Sequence, residues 1–297
     1  MLFGSKAKQM MQAGVVLLSL AFSAPVFAVD QASDAPENIN DIQFPVGLWN
    51  PSLLEIIERG PNILPRDTVF DVAPPPSNDS EVTRKELDNL LAMQEIERSD
   101  EEVRRIMWEH SGKKAHEIFM NEGLIHESNY KTDQLMRMID ADHSFFILER
   151  KQHFARPRPS QLDENLKTVL ANPGHAAYPS GHSSQTYMVA VVLSDFDPEN
   201  AQVYKQFAYD VTHRREIAGF HYVSDSIEGR KLAVDVLAKL RENAIFEKKY
   251  QEAKASYTKP SAEALEKYRA YLDARGERVP LMPEVQDEWV KIGFIPE

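Results

Sequence analysis

The run Tyr178-Pro179-Ser180-Gly181-His182-Ser183-Ser184-Gln185-Thr186-Tyr187-Met188-Val189-Ala190-Val191-Val192-Leu193 decides between two folds. Its last seven residues are continuously apolar, and a stretch that short also suits a buried strand. Helix is preferred for Thr186 to Phe196 because small polar residues precede it and the flanking segments carry helical patterns. A helix that starts at or near His182 would also present backbone N–H groups that have no partner within the helix. On that reading the protein is an all-α helical bundle.

Upstream, Thr132 to Gln152 reads as a helix with Leu135, Met138, Ile139, Phe145, Phe146 and Leu148 on its apolar side. Lys151 lies near its end, where a cation is favoured. Arg156-Pro157-Arg158-Pro159 cannot extend a helix easily and makes a rigid loop that holds Arg158. Arg156 is expected at the surface or behind the site. Helical patterns also cover Glu81 to His110 and Lys113 to Phe119, with Asn78-Asp79-Ser80 as a cap. Residues 29–80 hold seven prolines between Pro45 and Pro76 and read as an extended arm, with one helical turn near Ser52 to Arg59 and anchors at Phe70 and Val72.

Downstream of Lys151, Leu162 to Leu170 reads as a short element that Asn172-Pro173-Gly174 breaks. Pro198 suits the first turn of a helix that carries Phe207, Val211, Arg214 and Arg215 towards Gly219. Asp225-Ser226 then precedes a helix from Ile227 to about Ala253, and Ser261 to Asp273 forms another. The bundle is expected to occupy residues 81–275, with residues 276–297 as a surface segment.

The chain has a formal charge of -12, which argues against nonspecific nucleic-acid binding. It also makes a local group of cations stand out. There is no cysteine, so neither a disulfide nor a thiol nucleophile is available. Residues 1–28 read as a secretory signal: Lys6 and Lys8, an apolar segment from Ala13 to Phe22, and Val26-Phe27-Ala28 at the cleavage position. No later stretch resembles a membrane span. A periplasmic or secreted protein is expected.

Three blocks hold the candidate chemistry. Lys151, Arg158 and Arg215 could surround one multiply charged oxyanion. His182 and His221 could move protons or attack. Asp225 follows His221 by four residues, a spacing that puts both on one face of a helix, so its carboxylate can fix the imidazole tautomer. Ser180 and Gly181 could add backbone donors. His110, His116, His126 and His143 are read as structural or exposed; His153, His175 and His213 lie closer in sequence and could shape access. No other segment completes a metal-ligand spacing, and neither a Gly-rich phosphate loop nor a serine elbow is present.

These blocks resemble the three-part signature of the superfamily that joins bacterial class A nonspecific acid phosphatases, type 2 phosphatidic acid phosphatases and vanadium haloperoxidases. Lys151 to Arg158-Pro159 fits the first part, Pro179 to His182 the second, and Arg215, His221 and Asp225 the third. Residues 160–178 and 183–213 separate them. Arg214 stands where that family has serine, so it either turns away or adds a fourth cation that alters selectivity. The likeness spans roughly residues 60–245, counting a weaker one at Pro74-Pro75-Pro76. It implies the same bundle, and a metal- and cofactor-independent phosphomonoesterase with an acidic optimum. It further implies His221 as nucleophile, Asp225 as its partner and His182 as acid then base. Small phosphorylated molecules are the expected partners, and homo-oligomerisation is left open. The rival readings are a vanadate-dependent haloperoxidase, a lipid phosphate phosphatase, and an exported protein that only binds an anion.

Overall fold

The computed structural model describes residues 38–291. The expected secretory signal lies outside them. Among the described residues there are twelve α-helices, three short 3-10 turns and no strand. The all-α expectation holds, including for the segment that could have been a strand.

The helices are α1 (Pro51–Arg59), α2 (Glu81–Ile96), α3 (Asp100–His110), α4 (Ala115–Asn121), α5 (Tyr130–Phe154), α6 (Pro159–Leu162), α7 (Gly181–Phe196), α8 (Ala201–Ile217), α9 (Val223–Arg241), α10 (Ala244–Ala255), α11 (Ala262–Ala274) and α12 (Pro283–Lys291). Helix α7 is the centre. It packs chiefly against α8 and α9. Its residues from Thr186 to Ala190, with Val192 and Leu193, are buried on all sides, which is why its sequence shows no amphipathic period. Ser180 caps it by accepting from the Ser183 N–H at 3.4 Å.

A glycine sets how closely α9 meets α7. A Cβ at Gly229 would sit 2.6 Å from the Ser180 carbonyl oxygen and 3.3 Å from the Ser184 nitrogen. With hydrogen there instead, the start of α7 lies directly on α9. The apolar core then joins Tyr187, Val192 and Leu193 of α7 to Phe207 and Val211 of α8 and Leu232, Val236 and Leu240 of α9.

Several boundaries differ from the sequence reading, each for a capping reason. The expected continuous stretch Glu81 to His110 is two helices, because Ser99 caps α3 by accepting from the Glu102 N–H at 3.3 Å. The expected helix Ile227 to Ala253 begins at Val223 and is cut after Arg241, where the Asn243 side chain accepts from Ile245 and Phe246. The expected element Leu162 to Leu170 is not a helix. Only Pro159–Leu162 turns, and Leu166 is held in a second apolar cluster with Phe220 and Tyr222. The C-terminal segment contains α12. Its neighbour Arg278 reaches Glu97 and Glu102, each at 2.8 Å.

The Pro-rich arm lies on the bundle. Phe70 meets Phe146 edge-on at 4.9 Å, as the sequence suggested. The backbone of Ile63 donates to the Asp142 carboxylate at 2.9 Å. Phe44 and Trp49 pack with Leu148 and Ala176, and the Asn50 N–H donates to the Gly174 carbonyl at 2.8 Å. The arm therefore braces the loop between Asn172 and Ser180. No helix among the described residues is long and apolar enough to cross a membrane.

Candidate active site

Four helix ends and two loops bring the predicted residues together. Helix α5 ends at Ala155, whose φ of 47° is left-handed and turns the chain at once into Arg156-Pro157-Arg158. Lys151, in the last turn of α5, is buried. Its Nζ donates to the carbonyls of Ala176 (2.9 Å) and Ala177 (2.7 Å). Arg158 is wholly buried, donating through Nη1 to the Phe220 carbonyl (2.7 Å) and through Nη2 to the His175 carbonyl (2.9 Å).

Gly219, at φ +76°, reverses the chain after α8 and delivers Phe220 and His221. A larger residue there would meet Leu166 at 2.6 Å as well as a strained backbone. His221 lies before α9 rather than on it, so the expected shared helical face does not form. The contact forms another way: Asp225, in the first turn of α9, reaches back. Its Oδ2 accepts from His221 Nδ1 at 2.9 Å and from the Tyr222 N–H at 3.1 Å. His221 Nε2 then faces Arg158 Nη1 at 3.0 Å. Since Arg158 can only donate, Nε2 carries the lone pair and Nδ1 the proton.

Arg215 is wholly buried. Nη2 donates to His110 Nδ1 at 3.1 Å, while Nε and Nη1 have no hydrogen-bond partner among the described residues. His182, in the first turn of α7, is half-buried, and the backbone carbonyl of Glu109 lies on its ring and favours the charged form. Gly181 lies nearby, 3.9 Å from the Lys151 side chain measured from where its Cβ would be.

The electrostatics follow from this packing. The three cations are held by neutral carbonyls and imidazoles, with Asp225 as the carboxylate near Lys151 and Arg158 and Glu109 as the one near Arg215. Burial lowers Lys151 well below its usual value, with Arg158 adding to the fall. Burial lowers Arg158 to about 9 and Arg215 to about 10. Burial and then Arg158 push His221 well below the ordinary imidazole range; burial and then Arg215 do the same to His182.

Two placements, those of Ser180 and His110, correct the sequence reading, and two, those of Arg156 and Arg214, fall on one of the alternatives it left open. Arg156 is not at the surface. It is buried and bridges Asp225 Oδ1 (2.6 Å) and Glu86 Oε2 (3.1 Å), with its guanidinium 3.8 Å from the Tyr222 ring centroid. Ser180 does not offer its N–H to an anion, because that group donates to the Asp225 carbonyl at 2.8 Å. The outward donors at the start of α7 are those of Gly181 and His182. Arg214 turns away from the pocket and pairs with Glu109 at 2.7 Å. Burial opposes its charge, but Glu109 outweighs burial and raises its pKa. His110, read as structural or exposed, belongs to the site through Arg215. Its position more than a hundred residues before Arg215, in no motif, gave no signal.

Among the other histidines, His175 Nδ1 meets Arg158 Nη2 at 2.9 Å. His213 lies elsewhere, between Glu97 (2.7 Å) and Glu216 (3.3 Å). His143 is buried against the Ser184 hydroxyl at 2.7 Å, and His153 is exposed. A cavity of about 240 Å³ under the C-terminal segment, lined by Met93, His213, Arg230 and Met282 among others, includes none of the predicted site residues. Among the described residues, no three His, Asp or Glu side chains are grouped to hold a metal ion.

No family model matches the sequence. A non-specific acid phosphatase of Providencia stuartii is 35% identical over 129 residues, 42% of this chain and 52% of that protein. A non-specific acid phosphatase of Salmonella typhimurium is 31% identical over 105 residues, 33% of this chain and 41% of that protein. One from Salmonella typhi is 29% identical over 125 residues, 39% of this chain and 48% of that protein. The chain thus spans about half the length of the curated relatives it matches. Among solved structures, a bacterial vanadium-dependent iodoperoxidase superposes with a TM-score of 0.52 at 22% identity, over 71% of this chain and 63% of the other. That likeness is one of fold. Part of the chain is thus similar in sequence to non-specific acid phosphatases, and its fold is similar to that of a vanadium-dependent iodoperoxidase.

Proposed function

We propose that the chain hydrolyses phosphate monoesters without a metal ion, at acidic pH, through a phosphohistidine on His221. The observation that carries this reading is the charge balance of the pocket. Lys151, Arg158 and Arg215 are buried among carbonyl dipoles and imidazoles, and the nearby carboxylates are already engaged, Asp225 by Arg156 and His221 and Glu109 by Arg214. A phosphoryl dianion supplies the charge that these cations lack.

The geometry then orders the steps. Asp225 holds the proton on Nδ1, so the lone pair of Nε2 is the attacking electron pair. Arg158 leaves Nε2 for a phosphoryl oxygen. The P–N bond forms as the ester P–O bond breaks, and the departing oxygen takes its proton from His182. His182 next removes a proton from water, the water oxygen attacks phosphorus, and the P–N bond breaks. Asp225 offsets the positive charge on His221 throughout.

An acidic optimum follows from the same cations. Burial, with these cations adding to it, holds His221 neutral into the acid range, and the incoming dianion raises His182 so that it can carry a proton. The two apparent values belong to the coupled pair. Export, as the N-terminal sequence suggests, belongs to the same proposal.

The shared fold favours one second reading. The donor set also fits vanadate: Lys151, Arg158 and the unpartnered donors of Arg215 would hold its oxygens, and His221 Nε2 would be its ligand. Bound vanadate would supply a centre that activates peroxide towards halide.

The test is hydrolysis of an aryl phosphate by the purified chain after exhaustive chelation, beside a nucleotide, a sugar phosphate and a short-chain phosphatidate. Metal-independent turnover with an acidic optimum is expected. Activity lost on chelation and regained with a divalent ion would overturn the reading. Activity on the phosphatidate alone would move it to lipid dephosphorylation, and halide oxidation that needs vanadate and peroxide would favour the second reading.

A further inference from the structure

We propose that the last turn of α3, Glu109–His110, is a positioning element of the site and that Arg214 anchors it. The inference rests on the anion pocket proposed above and deepens it. Two adjacent residues of α3 meet two adjacent residues of α8. The Glu109 carboxylate takes Arg214 through Nη2 at 2.7 Å and through Nε at 2.9 Å. His110 Nδ1 takes Arg215 Nη2 at 3.1 Å. The backbone carbonyl of Glu109 also lies against the His182 ring. One turn of helix thus touches both a cation of the pocket and the proposed acid.

Each contact has a defined effect. His110 must accept at Nδ1, because a guanidinium only donates, so its own proton sits on Nε2 and the ring is neutral. It is the one hydrogen-bond acceptor that Arg215 has among the described residues. His110 stacks on Phe220 at 5.5 Å, and the Arg215 guanidinium lies 4.6 Å from the same ring centroid. The three side chains brace one another beside His221. The Glu109 carbonyl lies against the His182 ring and favours its protonated form. Arg214 touches neither imidazole. It holds the α3 turn that does, because a buried carboxylate needs a buried partner.

The decisive comparison is His110→Leu with His110→Asn. Leucine removes the acceptor, whereas the asparagine amide oxygen falls near the place of Nδ1. Sulfate titration measures anion affinity without requiring turnover. His110→Leu should bind sulfate roughly three- to tenfold more weakly, since Arg215 must then be ordered by the anion itself. Its kcat/KM should fall by at least that factor, and His110→Asn should return both to within about twofold of wild type. A leucine variant that matches wild type, or an asparagine variant as weak as leucine, would overturn the proposal. The paired replacement Glu109→Gln with Arg214→Met tests the anchor without leaving one buried charge alone. It should lose sulfate affinity like His110→Leu and lose kcat beyond that, because the released α3 turn no longer holds its carbonyl against His182. Wild-type affinity and kcat in that pair would remove Arg214 from the device. If the pair does not fold, the His110 comparison still decides. A wild-type chain that binds no sulfate contradicts the pocket reading itself, a result distinct from either failure here.

Discussion

His221 and Asp225 show how much of the chemistry depends on one short contact. The 2.9 Å bond from Nδ1 to Oδ2 sets the tautomer, and Arg156 holds the other carboxylate oxygen. Asp225→Asn keeps the size but places an amide where the charge stood. A kcat lower by roughly 10²-fold or more is expected from steady-state assays, and a near-normal kcat would remove Asp225 from the mechanism. His182→Ala should separate binding from turnover, with sulfate affinity close to normal and kcat down by roughly 10²- to 10⁴-fold. The proposed residues were legible because each block carries its residues within a few positions of one another. What the sequence did not show were the partners from distant elements. Arg156 reads as one more cation in a basic loop until Glu86 of α2 is seen at 3.1 Å. His110 and Glu109 are ordinary helix residues until α3 is docked on α8.

At the scale of elements, the site depends on how α7 and α9 are pressed together. Gly229→Ala places a methyl group 2.6 Å from the Ser180 carbonyl, on a backbone atom that cannot swing aside. The helices must separate. A loss of about 1–3 kcal/mol in denaturant unfolding is expected. Because Ser180, Gly181 and His182 begin α7, kcat should also fall although Gly229 touches no proposed substrate group. An alanine variant with wild-type stability would show that α9 yields easily. The order of the major helices was readable from apolar spacing, whereas the all-round apolar run of α7 left strand and helix both open until its burial between α8 and α9 was seen. Breaks were harder to read. The apolar pattern runs on through Ser99 and Asn243, and only their side-chain caps reveal that each begins a new helix. Leu166 misled in the opposite way: it is apolar and buried, but as a loop residue under Phe220.

Across the whole molecule, protonation links the site to stability. His110, His116, His175, His182 and His221 are lowered, and His143 falls to about 4, in each case chiefly through burial. The unfolded chain binds protons at these positions below about pH 6.5, where the folded chain does not, so stability falls as pH drops through that value. His213 acts in the other direction. Burial opposes its charge, but Glu216 and Glu97 raise it to about 9. Its contribution is complete below about pH 6.5 and is lost as pH rises towards 9. Thermal melting should therefore be highest near neutrality and decline on both sides. Sulfate should lessen the acid decline, because a bound dianion raises His182 and His221, and calorimetry in buffers of different ionisation heat should register proton uptake on binding. Proton release, or an acid decline that sulfate leaves unchanged, would mean that these imidazoles do not face the anion.

The central claim is that His221 becomes phosphorylated. The direct measurement is rapid mixing with an excess of aryl phosphate labelled in its phosphoryl group, followed by quenching in alkaline detergent, because a phosphorus–nitrogen bond is labile in acid. Wild-type protein should carry label approaching one phosphate per chain in the first turnover if hydrolysis of the intermediate is slow, and a smaller steady fraction otherwise. His182→Ala should retain label longer when the aryl group leaves readily, since water activation is then impaired. His221→Ala should carry none. Label on His221→Ala, or its absence from every protein while product still forms, would contradict the mechanism.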